Sequence, residues 1–310
     1  MMMLYWATYG DNGAQLVEQK VKFATYQFQG KRAVGVVDLE TGMIAPLDLP
    51  TEAMRDGVSC LIGLERLPDL LEQVALSDVV LDAPLPRPRR NIFCVGKNYY
   101  EHAHEFSSSG FDSSAAAGVI PTDPIIFSKV PESVIATGQP ILIDPAASTA
   151  IDYEVELAVI IGRKGRAIRP ENAFDYVWGY TIINDVTARD LQGRHSQWLI
   201  GKSQDTFCPM GPWVVTKDEL DISNTDIRCC VNGEIRQESN TGSLIFDIPT
   251  IISTISAGIT LLPGDVIATG TPAGVGIGFT PPKYLKPGDV VSLEIEGIGT
   301  LDNTCQPMKA

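Results

Sequence analysis

The sequence "IDYEVELAVIIG", Ile151–Gly162, is an apolar run that contains two glutamates one residue apart. Its aliphatic and β-branched residues favour a strand, in which alternate side chains point to the same face. Glu154 and Glu156 would then share a face with Asp152, while Tyr153 and the apolar residues between the acids form the other face. The stretch predicts a strand with an acidic face and a core face.

The acidic face allows two interpretations. Alternating charges most often form a solvated strand face, and the glutamate pair alone favours that interpretation. A second acidic element makes a buried acidic site more favourable than the glutamate pair alone does, because the apolar strand in "GYTIINDVTARDLQ" ends at Asn184-Asp185. Asp185 would be either a helix N-cap or a third carboxylate beside Glu154 and Glu156. Three such oxygen ligands suit a hard cation, Mg²⁺ first, Mn²⁺ next and Ca²⁺ third, whereas zinc is disfavoured without a His or Cys ligand.

The bulk composition limits the function classes. The chain has 310 residues, of which 44% are hydrophobic, enough for one large core or two smaller ones. Its formal net charge of -14 disfavours nucleic acid and membrane surfaces as partners. A small anionic substrate would need a local cluster of cations or a metal. We find no apolar run of about 20 residues and no signal-peptide pattern, so we expect a cytoplasmic protein.

The six cysteines occur in no CxxC or Cys/His spacing. This pattern predicts reduced thiols, most of them buried, rather than a zinc site or a disulfide framework. Cys229 and Cys230 would face opposite sides of a strand, which argues against a bond between them.

The chain is predicted to contain two domains. Residues 22–49 alternate short strands with turns, and Thr51 begins a segment with the pattern of one or two short helices. The stretch "DAPLPRPRRN", residues 82–91, has the composition of a linker. We therefore expect a small β-rich N-terminal domain with its linker in residues 1–88 and a second domain in residues 89–310. The first twenty or so residues carry no strong pattern and are expected to form an extension.

The second domain is predicted to be β-rich. Short apolar runs separated by Gly, Pro and Asn favour a sheet closed on itself or a sandwich. Asn232-Gly233 in "VNGEI" is a hairpin signal. Helical spacing is strongest in "SLIFDIPTIISTISAG", residues 243–258, with Pro249 suited to a first turn and Gly258 to a cap.

Seven motifs in this domain together resemble those of the fumarylacetoacetate hydrolase family: "NYYEHAHEF", "DYEVELAVIIG", "GYTIINDVTARDLQ", "GKSQDTFCPMGPWVVT", "VNGEIRQESNT", "LLPGDVIATGTPAGVG" and "LKPGDVVSLEIEGIGTL". The resemblance is ordered and nearly continuous from about Asn91 to Leu301. It implies a β-rich α+β fold with a roll-like or sandwich catalytic domain that is usually dimeric. In bacterial-type members a small β-rich domain precedes it.

The resemblance also implies the site. Mg²⁺ or Mn²⁺ would be bound by Glu154, Glu156 and Asp185. The histidine of "NYYEHAHEF", His102, would activate water or move protons with Glu105 as its partner. The two lie at i and i+3 of a helical turn, so the carboxylate can orient the imidazole.

Four more residues match family positions that contact substrate. Lys202 in "GKSQDTF", and Arg189 with Gln192 in "ARDLQ", would hold the substrate's carboxylate and oxyanion. Thr271 in "ATGTP" would contact the substrate carboxylate. Taken alone, these residues are equally typical of a surface cation, a polar helix and a glycine-rich turn. The remaining histidines, His104 and His195, are expected to be structural or exposed.

Two departures from the family pattern stand out. Residues 94–100 contain no acid, although larger eukaryotic-type members place a fourth metal ligand there. The insert "FSSSGFDSSAAAGVIPTDP", residues 106–124, follows the proposed base and suggests either a lid over the site or a disordered linker.

The family acts on small 2-oxo acids such as acylpyruvates or oxaloacetate, so the leading hypothesis is a metal-dependent C–C hydrolase. Here His102 with Glu105 deprotonates a water that attacks the distal carbonyl. The alternatives are an oxaloacetate decarboxylase and an isomerase or hydratase of a related oxo-acid. A metal-stabilised binding protein would leave His102, Glu105 and Lys202 unexplained together.

Overall fold

A strand covers most of the Ile151–Gly162 stretch in the computed structural model, which describes residues 21–108 and 120–309. It is split into Ile151–Asp152 and Val155–Ile161, and every residue of the longer segment is buried. Both faces of this strand are therefore covered by other parts of the protein. The apolar residues are continuous because neither face is solvated.

The strands of the described residues, in chain order, are β1 (Lys22–Phe28), β2 (Lys31–Asp38), β3 (Met43–Pro46), β4 (Val74–Ala75), β5 (Val80–Leu81), β6 (Ile92–Gly96), β7 (Ile125–Lys129), β8 (Val134–Ile135), β9 (Ile141–Ile143), β10 (Ile151–Asp152), β11 (Val155–Ile161), β12 (Val177–Asn184), β13 (Thr187–Ala188), β14 (Cys208–Thr216), β15 (Asp226–Val231), β16 (Glu234–Asn240), β17 (Val266–Ala268), β18 (Val290–Ile295) and β19 (Gly299–Pro307). The α-helices are α1 (Tyr100–Ser108), α2 (Arg189–Arg194), α3 (Leu199–Lys202) and α4 (Ile248–Ser256). Short 3-10 turns lie at Ala53–Leu61, Leu76–Asp78, Pro131–Ser133, Pro170–Tyr176, Lys217–Glu219, Thr241–Ser243 and Gly276–Gly278.

Two main sheets build the described part of the chain. The larger, 12-stranded sheet has the order β4-β3-β2-β1-β14-β12-β11-β17-β6-β7, with β5 beside β1 and β8 beside β14. The smaller sheet has the order β16-β15-β18-β19-β9, and β10 pairs with β13. The N-terminal strands join the larger sheet through antiparallel pairing of β1 with β14. The sheet therefore continues across the segment where the domain boundary was placed, and a boundary near residue 88 stays a prediction.

Two hydrophobic clusters cover the opposite faces of β11. Leu157 and Val159 belong to a cluster that includes residues of the smaller sheet and of α4, whereas Ala158 and Ile160 belong to one that includes the Ala53–Leu61 turn. Complete burial of each aliphatic side chain contributes about 1.5–3 kcal/mol. The predicted alternation is thus correct, and the strand that carries the glutamates lies at the centre of the protein.

Two local predictions are confirmed. Asn232 and Gly233 connect β15 to β16 and both have positive φ angles, 53° and 78°, as a tight hairpin turn requires. Helix α4 has Pro249 in its first turn, and the Asp247 side chain accepts a hydrogen bond from Thr250 N at 2.8 Å. The predicted cap at Gly258 is wrong by one residue, because Ala257 occupies the C-cap.

The helical segment predicted after Thr51 is a 3-10 turn, Ala53–Leu61, with a break at Gly57. A Cβ at Gly57 would overlap the Pro84 carbonyl oxygen, so the linker packs directly on this turn. Gly57 has a positive φ of 60°, and a contact distant in sequence leaves no room for a side chain at the break.

The described cysteines are free, and Cys229 is buried while Cys230 is partly exposed. Within residues 21–108 and 120–309, no helix is long and apolar enough to cross a membrane. The predicted N-terminal extension, residues 1–20, lies outside the described residues.

Candidate active site

Three buried carboxylates, which we call the carboxylate triad, converge at the ends of β11 and β12. Glu154 lies between β10 and β11, Glu156 lies in β11, and Asp185 directly follows β12. Their ligand atoms lie within 4.8 Å of one another, and the residues are 4%, 1% and 0% exposed. The solvated strand face is therefore wrong. The N-cap interpretation of Asp185 is wrong as well, because α2 begins at Arg189 and its N-cap is Ala188.

Main-chain hydrogen bonds hold the triad together. Asp185 N donates to the Glu154 carbonyl at 2.9 Å, and Glu154 N donates to Asn184 Oδ1 at 3.0 Å. Gly270 N, after β17, donates to Glu156 Oε2 at 2.8 Å. The Asn-Asp pair thus divides its roles, since Asn184 binds the neighbouring backbone while Asp185 presents its carboxylate.

Two buried lysines bind the triad. Lys202 Nζ donates to Glu154 Oε2 at 2.8 Å and to Asp185 Oδ2 at 2.7 Å. Lys129 Nζ donates to Asp185 Oδ1 at 2.6 Å and to the carbonyl oxygens of Val186 and Lys202. Lys202 was predicted at this site, whereas Lys129 was not. The sequence signal for Lys129 was a lysine at the end of an apolar strand in "PIIFSKV".

The charges shift the pKa values in opposite directions. Burial raises the pKa of Glu154, but the charges of Lys202 and Arg189 outweigh burial and lower it to about 2. The pKa of Glu156 is raised well above its ordinary value by burial and by the negative charges of Asp185 and Glu154. Burial disfavours the charged form of Lys202, yet Asp185 and Glu154 raise its pKa. Glu156 is therefore protonated more readily than Glu154 when no added cation balances the cluster.

Arg189 and Gln192 lie in α2 and are both 1% exposed, so neither is a polar surface residue. Arg189 Nε donates to Asp152 Oδ2 at 2.8 Å, and its Nη2 lies 2.7 Å from Glu154 Oε1. Arg189 Nη1 donates to Gln192 Oε1 at 3.1 Å. The guanidinium is thus fixed beside the triad by its own helix and by β10.

The predicted histidine and glutamate are in contact. His102 and Glu105 lie in α1, with His102 Nδ1 3.3 Å from Glu105 Oε2. Glu105 also accepts hydrogen bonds from Gly274 N at 3.1 and 3.2 Å. His102 is buried, whereas His104 and His195 are exposed, as expected.

Thr271 lies on the other side of the triad, two residues after Thr269. Its Oγ1 accepts a hydrogen bond from Gln237 Nε2 at 2.8 Å. Gln237 is fully buried and accepts a hydrogen bond from Val155 N at 3.1 Å, which ties Thr271 to β11. Gln237 belongs to the motif "VNGEIRQESNT" but was not predicted as a site residue.

One cavity contains most of these groups. The residues that line it are Val95, Gly96, Lys97, His102, Phe127, Glu154, Glu156, Arg189, Gln192, Trp198, Lys202 and Thr271. Three of these, Lys97, Phe127 and Trp198, were not predicted as site residues from the sequence. Lys97 is 2% exposed and has a positive φ of 53°, which is uncommon outside glycine. The Lys202 ammonium lies 4.9 Å from the centroid of the Phe127 ring. Cations and aromatic rings therefore surround the acids.

The predicted lid, residues 106–124, falls mainly outside the described residues. The acid-free segment between Cys94 and Tyr100 contributes Lys97 to the cavity.

The donor set suits a divalent cation. Four buried carboxylates, the triad and Asp152, contact three buried cations, which are Lys129, Lys202 and Arg189. The formal charges of these seven groups sum to one negative charge. The raised pKa of Glu156 reflects its burial first and the neighbouring negative charges second. A divalent ion held by the triad would leave one positive charge, which favours an anionic ligand.

A β-rich fold with a carboxylate triad, a histidine–glutamate pair and buried cations on one cavity is the arrangement of an enzyme that processes small oxo-acids. Residues 91–306 match the family described as fumarylacetoacetate (FAA) hydrolase C-terminal. The chain belongs to the fumarylacetoacetate hydrolase family, and the resemblance seen in its motifs is confirmed.

Individual relatives agree on the family and differ in their named activities. The chain is 49% identical over 230 residues to the oxaloacetate tautomerase YisK of Bacillus subtilis, and the aligned residues make up 74% of each chain. The structure of fumarylacetoacetate hydrolase from the psychrophile Exiguobacterium antarcticum is 41% identical, with a TM-score of 0.79 over 93% of this chain and 100% of that one. A 2-hydroxyhepta-2,4-diene-1,7-dioate isomerase from Mycobacterium marinum is 32% identical, with a TM-score of 0.74 over 94% and 100%.

Proposed function

We propose that the chain is a divalent-metal-dependent enzyme that interconverts the tautomers of a small 2-oxo dicarboxylic acid such as oxaloacetate. The observation that carries this proposal is the position of His102, which contacts Glu105, on the same cavity as Glu154 and Glu156 of the carboxylate triad. Tautomer exchange needs a proton carrier beside a group that stabilises an enolate, and His102 and an ion held by the triad would supply them. The relative named oxaloacetate tautomerase supports this substrate.

The triad is assigned to the metal, with Mg²⁺ as the first candidate and Mn²⁺ and Ca²⁺ after it. When bound, the ion would polarise the 2-oxo group and stabilise negative charge on its oxygen. Glu154 enters this site already ionised, because the charges of Lys202 and Arg189 outweigh burial and lower its pKa. Lys202 also donates a hydrogen bond to Asp185. Glu156 must lose its proton to become a ligand, since its pKa is raised.

The buried cations are assigned to the substrate. Lys202 and Arg189 lie on the cavity with their charges directed at the triad, and they would balance the carboxylate of an incoming oxo-acid. Gln192 and Thr271 line the same cavity and supply neutral hydrogen-bonding groups. Together they restrict the position of the carbon that exchanges its proton.

His102 is assigned to proton transfer. Glu105 holds Nδ1 of the imidazole, so Nε2 is the nitrogen that takes the proton from the carbon next to the 2-oxo group. The electron pair of the broken C–H bond becomes the enolate. Return of a proton to oxygen gives the enol, and return to carbon gives the ketone.

Cleavage of a C–C bond in an acylpyruvate, ranked first from the sequence alone, is the second candidate. It is favoured by the 41% identity to a structure named fumarylacetoacetate hydrolase. In that reaction His102 with Glu105 would deprotonate an attacking water. Decarboxylation of oxaloacetate, the other alternative, would break a C–C bond instead of a C–H bond, so that CO2 leaves and the enolate of pyruvate remains to be protonated.

A substrate panel separates these reactions. The Mg²⁺-loaded protein is mixed with enol oxaloacetate and with acetylpyruvate, and enol absorbance, pyruvate and CO2 are followed. Tautomerisation predicts faster loss of the oxaloacetate enol with no pyruvate or CO2 above the EDTA-treated control. Pyruvate from acetylpyruvate would instead establish the hydrolase, and CO2 from oxaloacetate the decarboxylase.

A homodimer and an independent N-terminal unit in residues 1–88 remain proposals that the resemblance supports. Sedimentation equilibrium of the full chain tests the first. Limited proteolysis near residues 82–91 tests the second, since a linker predicts two stable fragments.

A further inference from the structure

The carboxylate of Asp152 is fully buried but does not belong to the carboxylate triad. Its Oδ2 accepts hydrogen bonds from Arg189 Nε at 2.8 Å and from Ile277 N at 3.0 Å. Its Oδ1 accepts from Gly276 N at 2.6 Å and from Tyr153 N at 2.9 Å. Four donors therefore converge on one buried acid, which fixes the orientation of its carboxylate.

Two of these donors come from the loop at residues 274–278, which we call the 274–278 loop. Its first residue, Gly274, donates its N–H to both oxygens of Glu105. Its last residue, Gly278, lies so close that an added Cβ would overlap the Glu105 carboxylate. The 274–278 loop thus contacts Asp152 and Glu105 within five residues.

The third donor is the guanidinium proposed to hold the substrate. Arg189 reaches Glu154 through Nη2 at 2.7 Å and Gln192 through Nη1 at 3.1 Å. Asp152 binds the remaining edge at Nε. A planar guanidinium held at three positions has a single orientation, and Asp152 sets one of them.

We propose that Asp152 is a positioning residue that fixes Arg189 toward the substrate and docks the 274–278 loop against Glu105. It would act through Arg189 and Glu105 and would contact neither the substrate nor the metal. Since Arg189 holds substrate only in the proposed function, the inference rests on that function. Asp152 thereby couples anion binding to the proton-transfer pair.

Oxalate tests this proposal without turnover, because it is planar and dianionic like the enolate of a 2-oxo acid. Its affinity is measured by calorimetry with saturating Mg²⁺ for the wild type, Asp152→Asn, Arg189→Gln and the double variant. Asp190→Asn is the matched control, since Asp190 is a neighbouring, partly buried acid that binds Ser148. Mg²⁺ affinity, thermal unfolding and the KM and kcat for oxaloacetate are measured on the same proteins.

We expect Asp152→Asn to weaken oxalate binding about tenfold or more, as expected for loss of a charged partner. The double variant should bind oxalate within about twofold of Arg189→Gln, because both changes remove the same interaction. Mg²⁺ affinity and Asp190→Asn should stay near wild type. A merely structural role would lower the melting temperature and the fraction of active protein without this non-additivity. If Asp152→Asn does not fold, Asp152→Glu keeps the charge one methylene further out and should weaken oxalate in the same non-additive way.

The inference is overturned if the double variant loses oxalate affinity by the product of the two single losses. It is also overturned if Asp152→Asn binds oxalate like the wild type, or if the wild type binds no oxalate. Coupling in this cycle without turnover of any oxo-acid would reject the proposed function and leave the positioning role standing. Turnover of oxaloacetate with independent effects would reject the positioning role alone.

Discussion

The ammonium of Lys202 donates a hydrogen bond of 2.7 Å to the carboxylate of Asp185. A second hydrogen bond of 2.8 Å joins the same ammonium to Glu154. All three side chains are almost fully buried, so their charges interact with little screening by water. Lys202 therefore neutralises the acids that are assigned to the metal, and it would share their oxygens with a bound ion.

Replacement of Lys202 separates its effect on the stability of the metal-free protein from its effect on Mg²⁺ binding. In Lys202→Met the acids lose their partner, and the metal-free protein should lose about 3–5 kcal/mol of unfolding free energy. Mg²⁺ should bind at least as tightly as in the wild type, because no ammonium shares its oxygens. The rise in melting temperature on adding Mg²⁺ should consequently be larger in the variant. Turnover should fall about 10²-fold or more.

Thermal unfolding with and without Mg²⁺ and calorimetric Mg²⁺ titration check this prediction. The exposed lysine in Lys286→Met is the control and should leave both quantities unchanged. A marked loss of Mg²⁺ affinity in Lys202→Met would show that the lysine supports the ion instead of sharing its ligands.

Metal binding should release a proton. The pKa of Glu156 is raised by burial and by neighbouring acids, so the metal-free protein holds a proton there above the ordinary titration range of a glutamate. A divalent ion requires the ionised form, and Mg²⁺ affinity should rise with pH until the raised pKa is passed. Calorimetric titration at pH 6 in two buffers of different ionisation enthalpy measures the proton directly. Identical heats in the two buffers would mean that Glu156 is ionised before the metal arrives.

The main site residues were predictable because their signals are local. Alternation along the stretch Ile151–Gly162 predicts Glu154 and Glu156 on one face, and the end of β12 places Asp185 beside them. His102 and Glu105 lie one helical turn apart, which is enough to predict their contact. Motif resemblance added the residues whose local pattern is ambiguous, such as Arg189, Gln192, Lys202 and Thr271.

Residues that depend on distant pairings were not predictable. Lys129 reaches Asp185 across 56 residues, and Gln237 reaches Val155 across 82. Such contacts arise from the strand order, in which β17 lies beside β11 and β6 beside β17, and no sequence pattern specifies that order. Asp152 was correctly placed on the acidic face, but its partner Arg189 is 37 residues away. The need for a glycine at position 57 likewise depends on a distant contact, since a Cβ there would overlap the Pro84 carbonyl oxygen.

The two histidines of α1 form a matched pair for testing the proton-transfer role. His102 is buried against Glu105, whereas His104 is exposed two residues later. His102→Ala should lower kcat about 10²–10⁴-fold, the usual contribution of a general acid or base. Its Mg²⁺ affinity should stay near wild type, because the triad is intact. His104→Ala should leave kcat unchanged, and an equal loss in both variants would indicate damage to α1 instead of loss of the base.

A single methyl group tests the contact between the 274–278 loop and the proton-transfer pair. In Gly278→Ala the added Cβ would overlap the Glu105 carboxylate, so either the loop or Glu105 must move. Because Glu105 holds Nδ1 of His102, we expect kcat to fall about tenfold or more, while Mg²⁺ affinity changes little. Gly258→Ala, near the end of α4, is the control because an added Cβ there meets no atom within 4 Å. Steady-state kinetics with calorimetric Mg²⁺ titration measure both effects. An unchanged kcat in Gly278→Ala would show that the orientation of Glu105 does not limit proton transfer.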